Sequence, residues 1–140
     1  MIVSNKFGKT IDLLHRTMSA TTLRQAVIAN NLANAEVPNF KRTDVNFESE
    51  LRRALQSERQ RPVMELTRTN PKHISNWQPR NYQDVQPRRV LDFLTQTNNN
   101  GNNVSPEEEF TLLLRNQMRY ILLTQAATFE FSQVNLVLRN

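Results

Sequence analysis

The residues of this 140-residue chain best suited to chemistry are two histidines, His15 and His73, and one carboxylate run, Glu107-Glu108-Glu109. Imidazoles and carboxylates brought together could ligate a metal ion or move protons. Their placement argues against both. His15 falls inside a helical pattern, while His73 follows Pro71-Lys72, and no convergent carboxylates complete a site around either. The three glutamates directly follow Ser105-Pro106, where helix capping and the helix dipole already account for them. With no cysteine, disulfides and thiolate metal sites are excluded. Phosphate-loop, dinucleotide, nucleophile-elbow and zinc-protease motifs are also missing. The expectation is no enzyme, with no catalytic, cofactor-binding or metal site and no cofactor.

Charge offers a second kind of function. Lys and Arg number 18 against 13 Asp and Glu, a net charge of +5. The basic residues are scattered, with Arg52-Arg53, Arg59/Arg61 and Arg88-Arg89 among the closest clusters. Single-strand recognition wants a basic stripe with interleaved aromatics. The nearest approach is His73 to Tyr82, where Trp77 and Arg80 lie between prolines, and there Trp77 reads better as an anchor for a loose segment. A basic helical adaptor for nucleic acid or an acidic protein partner is the alternative function. It would show steeply salt-dependent binding.

These residues must be positioned by a few elements. From Phe7, the positions Phe7, Ile11, Leu14, Met18, Thr21, Gln25, Ile28, Leu32 and Ala35 advance by alternating steps of four and three. This is a heptad seam with polar interruptions at Thr21 and Gln25. Leu13, Ala20, Leu23 and Val27 form a second set on another face, which suggests a further neighbour. The pattern predicts one long helix over about residues 5–35. Pro38 ends it and pushes Val37 out of the α region. Asp44 to Phe47 reads as a short extended piece, and Glu48 to Arg59 as a short amphipathic helix that needs docking to persist.

Residues 60–104 change character. Pro62, Pro71, Pro79 and Pro87 punctuate them, and Asn98 to Asn103 is Asn-rich around Gly101. Val63 to Leu66 and Val85-Gln86 are the candidate extended pieces. Ser105 then fits an N-cap, Pro106 the first helical position and Glu108 the third place of a capping box. The helix that follows runs to Leu138 with apolar residues on most of its circumference. A helix apolar all round is deeply buried or in a membrane. Polar residues from Thr124 to Asn135 argue against a span, so other subunits must cover it. The N-terminus lacks the basic-then-apolar layout of a secretory leader, so export would use a route without a cleaved signal.

The stretch Ala29-Asn30-Asn31-Leu32-Ala33-Asn34-Ala35 followed by Pro38-Asn39-Phe40-Lys41-Arg42 resembles the N-terminal signature of the axial proteins of the bacterial flagellum, A-N-N-[IL]-A-N-x-x-T-P-G-[YF]-[KR]. It departs at Val37, where Thr is usual, and at Asn39, where Gly is usual. Asn tolerates the left-handed conformation, so the turn can survive. Arg42 to Glu48, Asn70-Pro71-Lys72-His73-Ile74, Gly101 to Val104 and Asn116 to Tyr120 extend the resemblance across the chain. They point to a proximal rod protein, with the sister proximal rod protein FlgC as the alternative within the family.

The resemblance implies a mainly α fold. Its long N- and C-terminal helices would pair as an antiparallel coiled-coil hairpin, with an irregular middle carrying a short helix and a few short strands. Residues 1–36 and 105–140 would form one unit and 37–104 the middle. It further implies a structural subunit of the periplasmic rod of the basal body, exported without a cleaved signal and stacked helically through its terminal helices. Its partners would be other copies, rod proteins of the FlgC, FlgF and FlgG class, the adaptor FliE, the membrane-ring protein FliF and the export gate. No nucleic acid and no membrane span are expected. Assembly and helix packing would fall to Phe7, Ile11, Leu14, Met18, Ile28, Leu32, Phe110, Leu114, Met118, Ile121, Leu122 and Phe131. The signature junction would be Ala29, Asn30, Asn31, Leu32, Ala33, Asn34, Pro38, Asn39 and Phe40.

Overall fold

The computed structural model describes residues 2–59, 69–70, 72, 79–97 and 99–139, with side chains from residue 6 onward. The extended piece expected at Val63 to Leu66, together with His73 and Trp77, lies outside the described residues. The elements in order are α1 (Ile2–Ala33), β1 (Thr43–Asn46), α2 (Glu48–Arg59), a 3-10 turn (Tyr82–Asp84), β2 (Arg88–Leu91) and α3 (Pro106–Leu138). They divide into two compact units, residues 1–45 with 89–140, and residues 46–88.

In the first unit α1 packs against α3. The pairing is antiparallel, because contacts move down one helix as they move up the other. Asn31 meets Glu109, Thr21 meets Asn116, and Phe7 meets Phe131. The last of these is an edge-to-face ring pair with centroids 5.8 Å apart and planes at 81°. From Phe7 to Asn31 the contact runs roughly 36 Å along α1 at 1.5 Å per residue. Ala20, Thr21, Val27, Ile28 and Asn31 are buried along it.

This corrects one reading of the sequence. Ala20 and Val27 were assigned to a face awaiting another neighbour, yet they are buried with Ile28 inside the hairpin, while Gln25 of the main seam is exposed. The buried strip runs between the two sets. What α1 leaves outside is small or polar: Thr22, Gln25, Ala26, Ala29, Asn30 and Ala33.

On α3, Glu109, Leu113, Asn116, Leu123, Ala127, Glu130 and Val134 follow the same alternation of three- and four-residue steps, allowing one gap at Tyr120, and are buried or half-buried. The helix starts as its sequence predicts, with Ser105 at the N-cap and Pro106 in the first turn. The capping geometry differs in detail. The Ser105 hydroxyl accepts from the Glu108 N–H at a long 3.5 Å and donates to the Glu107 carboxylate at 3.1 Å. Among the described residues no helix is long and apolar enough to cross a membrane.

The two strands form a two-stranded sheet. A bond from the Asp92 N–H to the Arg42 carbonyl, 2.9 Å, lies just beyond their facing ends and sets them antiparallel. The second strand starts at Arg88, one residue after Pro87, and not at Val85-Gln86 as expected; the Val85 N–H instead closes the 3-10 turn on the Tyr82 carbonyl.

In the second unit α2 spans the residues its amphipathic pattern predicts, with Glu48 and Glu50 in its first turn and Arg59 in its last, each favourable to the helix dipole. Ser57 Oγ accepts the Arg80 N–H at 2.9 Å, and the Glu50 carboxylate meets the Arg80 guanidinium at 3.5 Å. These bonds hold the returning chain against α2.

Candidate functional site

A helix end leaves carbonyls without intrahelical partners, and here neighbouring amides take them up. The Asn34 N–H closes on the Asn30 and Asn31 carbonyls at 3.2 and 3.1 Å. Beyond it, Asn102 Nδ2 donates to the carbonyls of Asn34, Ala35 and Val37 at 3.1, 2.9 and 2.8 Å. Asn102 is fully buried, and its Oδ1 accepts the Val104 N–H at 2.7 Å. One side chain from the Asn-rich run therefore caps the end of α1 and shapes the entry to α3.

The chain then turns at Val37-Pro38-Asn39-Phe40, closed by the Phe40 N–H on the Val37 carbonyl at 3.3 Å. Asn39 has φ +59°, so proline precedes a left-handed residue, the requirement of a type II turn. The turn is pinned by the Asn39 N–H on the Asn100 carbonyl, 3.1 Å, and by Lys41 Nζ on the Gly101 carbonyl, 2.8 Å. Gly101 has φ +80°, and a Cβ there would lie 2.5 Å from Asn39 Oδ1. Glycine is required at that point.

Next to this turn lies a buried polar cluster. Asn31 is fully buried and treats Thr43 as a strand partner would. It donates to the Thr43 carbonyl at 2.8 Å and accepts the Thr43 N–H at 3.0 Å. Its Nδ2 also reaches Glu109 Oε2 at 3.3 Å. Glu109, 0% exposed, takes Arg42 Nε on its other oxygen at 2.5 Å. Burial of Arg42 disfavours its charged form, but the hydrogen bond and charge of Glu109, helped by Asp44 and Asp92, outweigh this and raise its pKa.

Asn103 extends the cluster. It accepts the Arg42 N–H at 2.5 Å and donates to the Asp92 carbonyl at 2.8 Å and to Thr95 Oγ1 at 3.1 Å. The Thr95 hydroxyl, with the N–H groups of Leu94 and Thr95 and the charge of Arg42, holds the Asp92 carboxyl below its usual range against a smaller effect of desolvation.

The arrangement joins one helix end, one strand and the next helix start through side-chain amides and one ion pair. Among the described residues no group of three or more His, Asp or Glu could hold a metal ion. His15 lies exposed on α1. The cluster is a joint.

The residues expected in the signature divide between this joint and the surface. Asn31, Asn34 and Asn39 carry its bonds, whereas Ala29, Asn30, Ala33 and Pro38 are exposed and Leu32 and Phe40 half-buried. Of the expected packing positions on α1, Ile28 is buried at 3% exposure, and Phe7, Ile11, Leu14 and Met18 are half-buried. On α3 the single chain presents a different picture. Phe110, Leu114, Met118, Ile121, Leu122 and Phe131 are each more than half exposed, with Phe129 and Leu136 alongside. Phe131 meets Phe7 by one ring edge, and the other five lie away from the strip that faces α1.

Sequence reasoning missed Arg42, Asn102, Asn103, Glu109 and Asn116 as interior groups. Glu109 was assigned wholly to the helix dipole, and its burial against Arg42 corrects that reading. A signal existed: Glu109 stands four residues before Leu113 and seven before Asn116, on the stripe that faces α1.

Comparison with known proteins covers the same residues. Residues 11–41, which cover most of α1 and the turn, match the family model described as flagella basal body rod protein. The flagellar basal body rod protein FlgB of Borreliella burgdorferi is 42% identical over 135 residues, 96% of this chain and 99% of that protein. FlgB of Borrelia hermsii is 43% identical with the same coverage, and FlgB of Bacillus subtilis is 32% identical over 94% of this chain and 95% of its own length. Identity at this level across the joint and both terminal helices places the sequence: the chain belongs to the FlgB family of flagellar basal body rod proteins.

Proposed function

We propose that the chain is a structural subunit of the proximal rod, built into the basal-body drive shaft by stacking its terminal helices helically against those of neighbouring subunits. The observation that carries this is the outer side of α3. Phe110, Leu114, Met118, Ile121, Leu122 and Phe129 are over half exposed, roughly 100 Å² each, more in sum than the few hundred Å² a monomer ordinarily leaves open. Met118, Leu122, Phe129 and Leu136 continue the three- and four-residue steps of a coiled-coil seam, with Gln125 and Ser132 in the remaining places. Such a seam fits another helix. The exposed face of α1, with Ala26, Ala29 and Ala33, lets one approach closely.

Neighbours in this proposal are further copies and rod proteins of the FlgC, FlgF and FlgG class. At the membrane end they are FliE, the FliF ring and the export gate, which the family resemblance supplies. Removing the coding sequence tests the proposal. Cryo-electron tomography of the deletion strain is expected to show membrane rings with no rod above them, restored by the intact chain. A complete rod in that strain would contradict it.

A further inference from the structure

We infer that the turn at residues 92–95 is a docking knob that seats on the outer α3 face of a second copy of this chain, over Phe110 and Leu114. The inference rests on the rod reading above and names what covers the first turns of α3 in that assembly.

The knob is apolar and held rigid. Leu94 is 97% exposed and Phe93 69%, and Val90 and Leu91 of β2 continue the apolar run. Exposed side chains of this kind usually sit on loose loops, but this turn is bonded from two sides. The Asp92 carboxylate accepts the N–H groups of Leu94 and Thr95 at 3.0 and 3.2 Å and the Thr95 hydroxyl at 2.7 Å. Buried Asn103 holds the Asp92 carbonyl and Thr95 Oγ1 from beneath. The backbone part of the ordering cost of binding is thereby already met in the single chain.

The receiving face is on the page as well. Phe110 and Leu114 lie one helical turn apart, both over half exposed, and exposed Glu107 precedes Phe110 on the same side of the helix. Exposed Arg89 stands at the foot of the knob, opposite in charge to Glu107. A knob-on-knob contact would instead gather the like charges of exposed Arg88 and Arg89 from both copies. Charge therefore favours knob on helix, with the two patches at different places on one chain. Contacts of that kind are heterologous and repeat without closing when the rotation does not form a ring.

The chain has no cysteine, so every thiol on it is an introduced one. Leu94→Cys and Leu114→Cys placed together and oxidised in assembled basal bodies should give a ladder of disulfide-linked multimers of this chain, and neither substitution alone should. A disulfide within one chain, a conjugate with a different protein, or no conjugate from basal bodies that contain the chain would each overturn the knob while leaving the rod reading intact. Absence of the chain from basal bodies would overturn the rod reading itself. In parallel, Leu94→Asp should leave thermal unfolding of the purified chain unchanged and reduce swimming at least tenfold. Undiminished swimming would overturn the inference.

Discussion

Cells carrying Leu122→Asp are expected to lose swimming, while the purified variant should unfold within about 0.5 kcal/mol of the parent. Leu122 is 65% exposed, so a carboxylate there stays in water in the single chain and costs little, as exposed substitutions generally do. In the assembled seam the same charge would have to be buried without a partner, at a cost of several kcal/mol, roughly. Ile28→Asp stops swimming by another route. Ile28 is 3% exposed between α1 and α3, and an unpaired carboxylate there costs about 4 kcal/mol or more. That is comparable with the total stability of a small domain, about 5–15 kcal/mol, and the variant should fail to fold. Circular dichroism melts of the two purified variants separate the routes. A Leu122→Asp strain that swims normally would remove the assembly role of the outer seam.

Arg42→Ala is expected to lower the unfolding free energy by about 3 kcal/mol, because Glu109 then remains as a buried charge without its cation. Breaking a buried pair by removing one partner typically costs ~3–5 kcal/mol, and Arg42, with its side chain 21% exposed, belongs at the lower end. Adding Glu109→Leu to Arg42→Ala should return most of that loss, since no charge is then left buried without a partner. Asn31 keeps its two bonds to Thr43 in that double variant, so the strand stays attached to α1. Chemical denaturation of the single and double variants closes the cycle. A loss below about 1 kcal/mol for Arg42→Ala would mean that the pair behaves as a surface salt bridge.

The elements of the fold were readable wherever periodicity and capping act locally. The heptad steps from Phe7, the Ser105-Pro106 start of α3 and the amphipathic Glu48 to Arg59 each rest on neighbours within one or two turns, and each formed as expected. Proline at 87 marked a boundary correctly but on the wrong side, because β2 is selected by pairing with β1, a contact more than forty residues away. The interior of the joint was less readable for a related reason. Periodicity counts apolar residues, and the groups buried there are Asn31, Asn102, Asn103 and Glu109. The three amides replace backbone partners that helix ends and strand edges lack, and the Glu109 carboxylate is paired with Arg42 and Asn31, so they belong inside although their types suggest the surface. Asn102 in particular looked like loop composition and proved to be the cap of a helix 68 residues earlier.

On α3 the sequence could not select the face that meets α1, because apolar residues cover most of the helix. The structure selects the stripe containing Glu109 and Asn116, and polar partners on α1 explain why. Asn116 Nδ2 donates to the Thr21 carbonyl at 2.8 Å and Glu109 meets Asn31 and Arg42. A buried asparagine at a seam position fixes register at a cost in stability. Asn116 bears that cost visibly, since among the described residues its buried Oδ1 has no hydrogen-bond partner. The more apolar side of α3 is thereby turned outward, where the proposed assembly needs it.

The most direct test of the account is a side-chain-resolution cryo-electron microscopy map of an intact basal body containing this chain. The account predicts the α1–α3 hairpin in the wall of the rod beside the membrane ring, with Leu122 and Phe129 buried against a helix of a neighbouring subunit. A rod in which this outer side of α3 faces solvent, or in which the chain has no place, would contradict it.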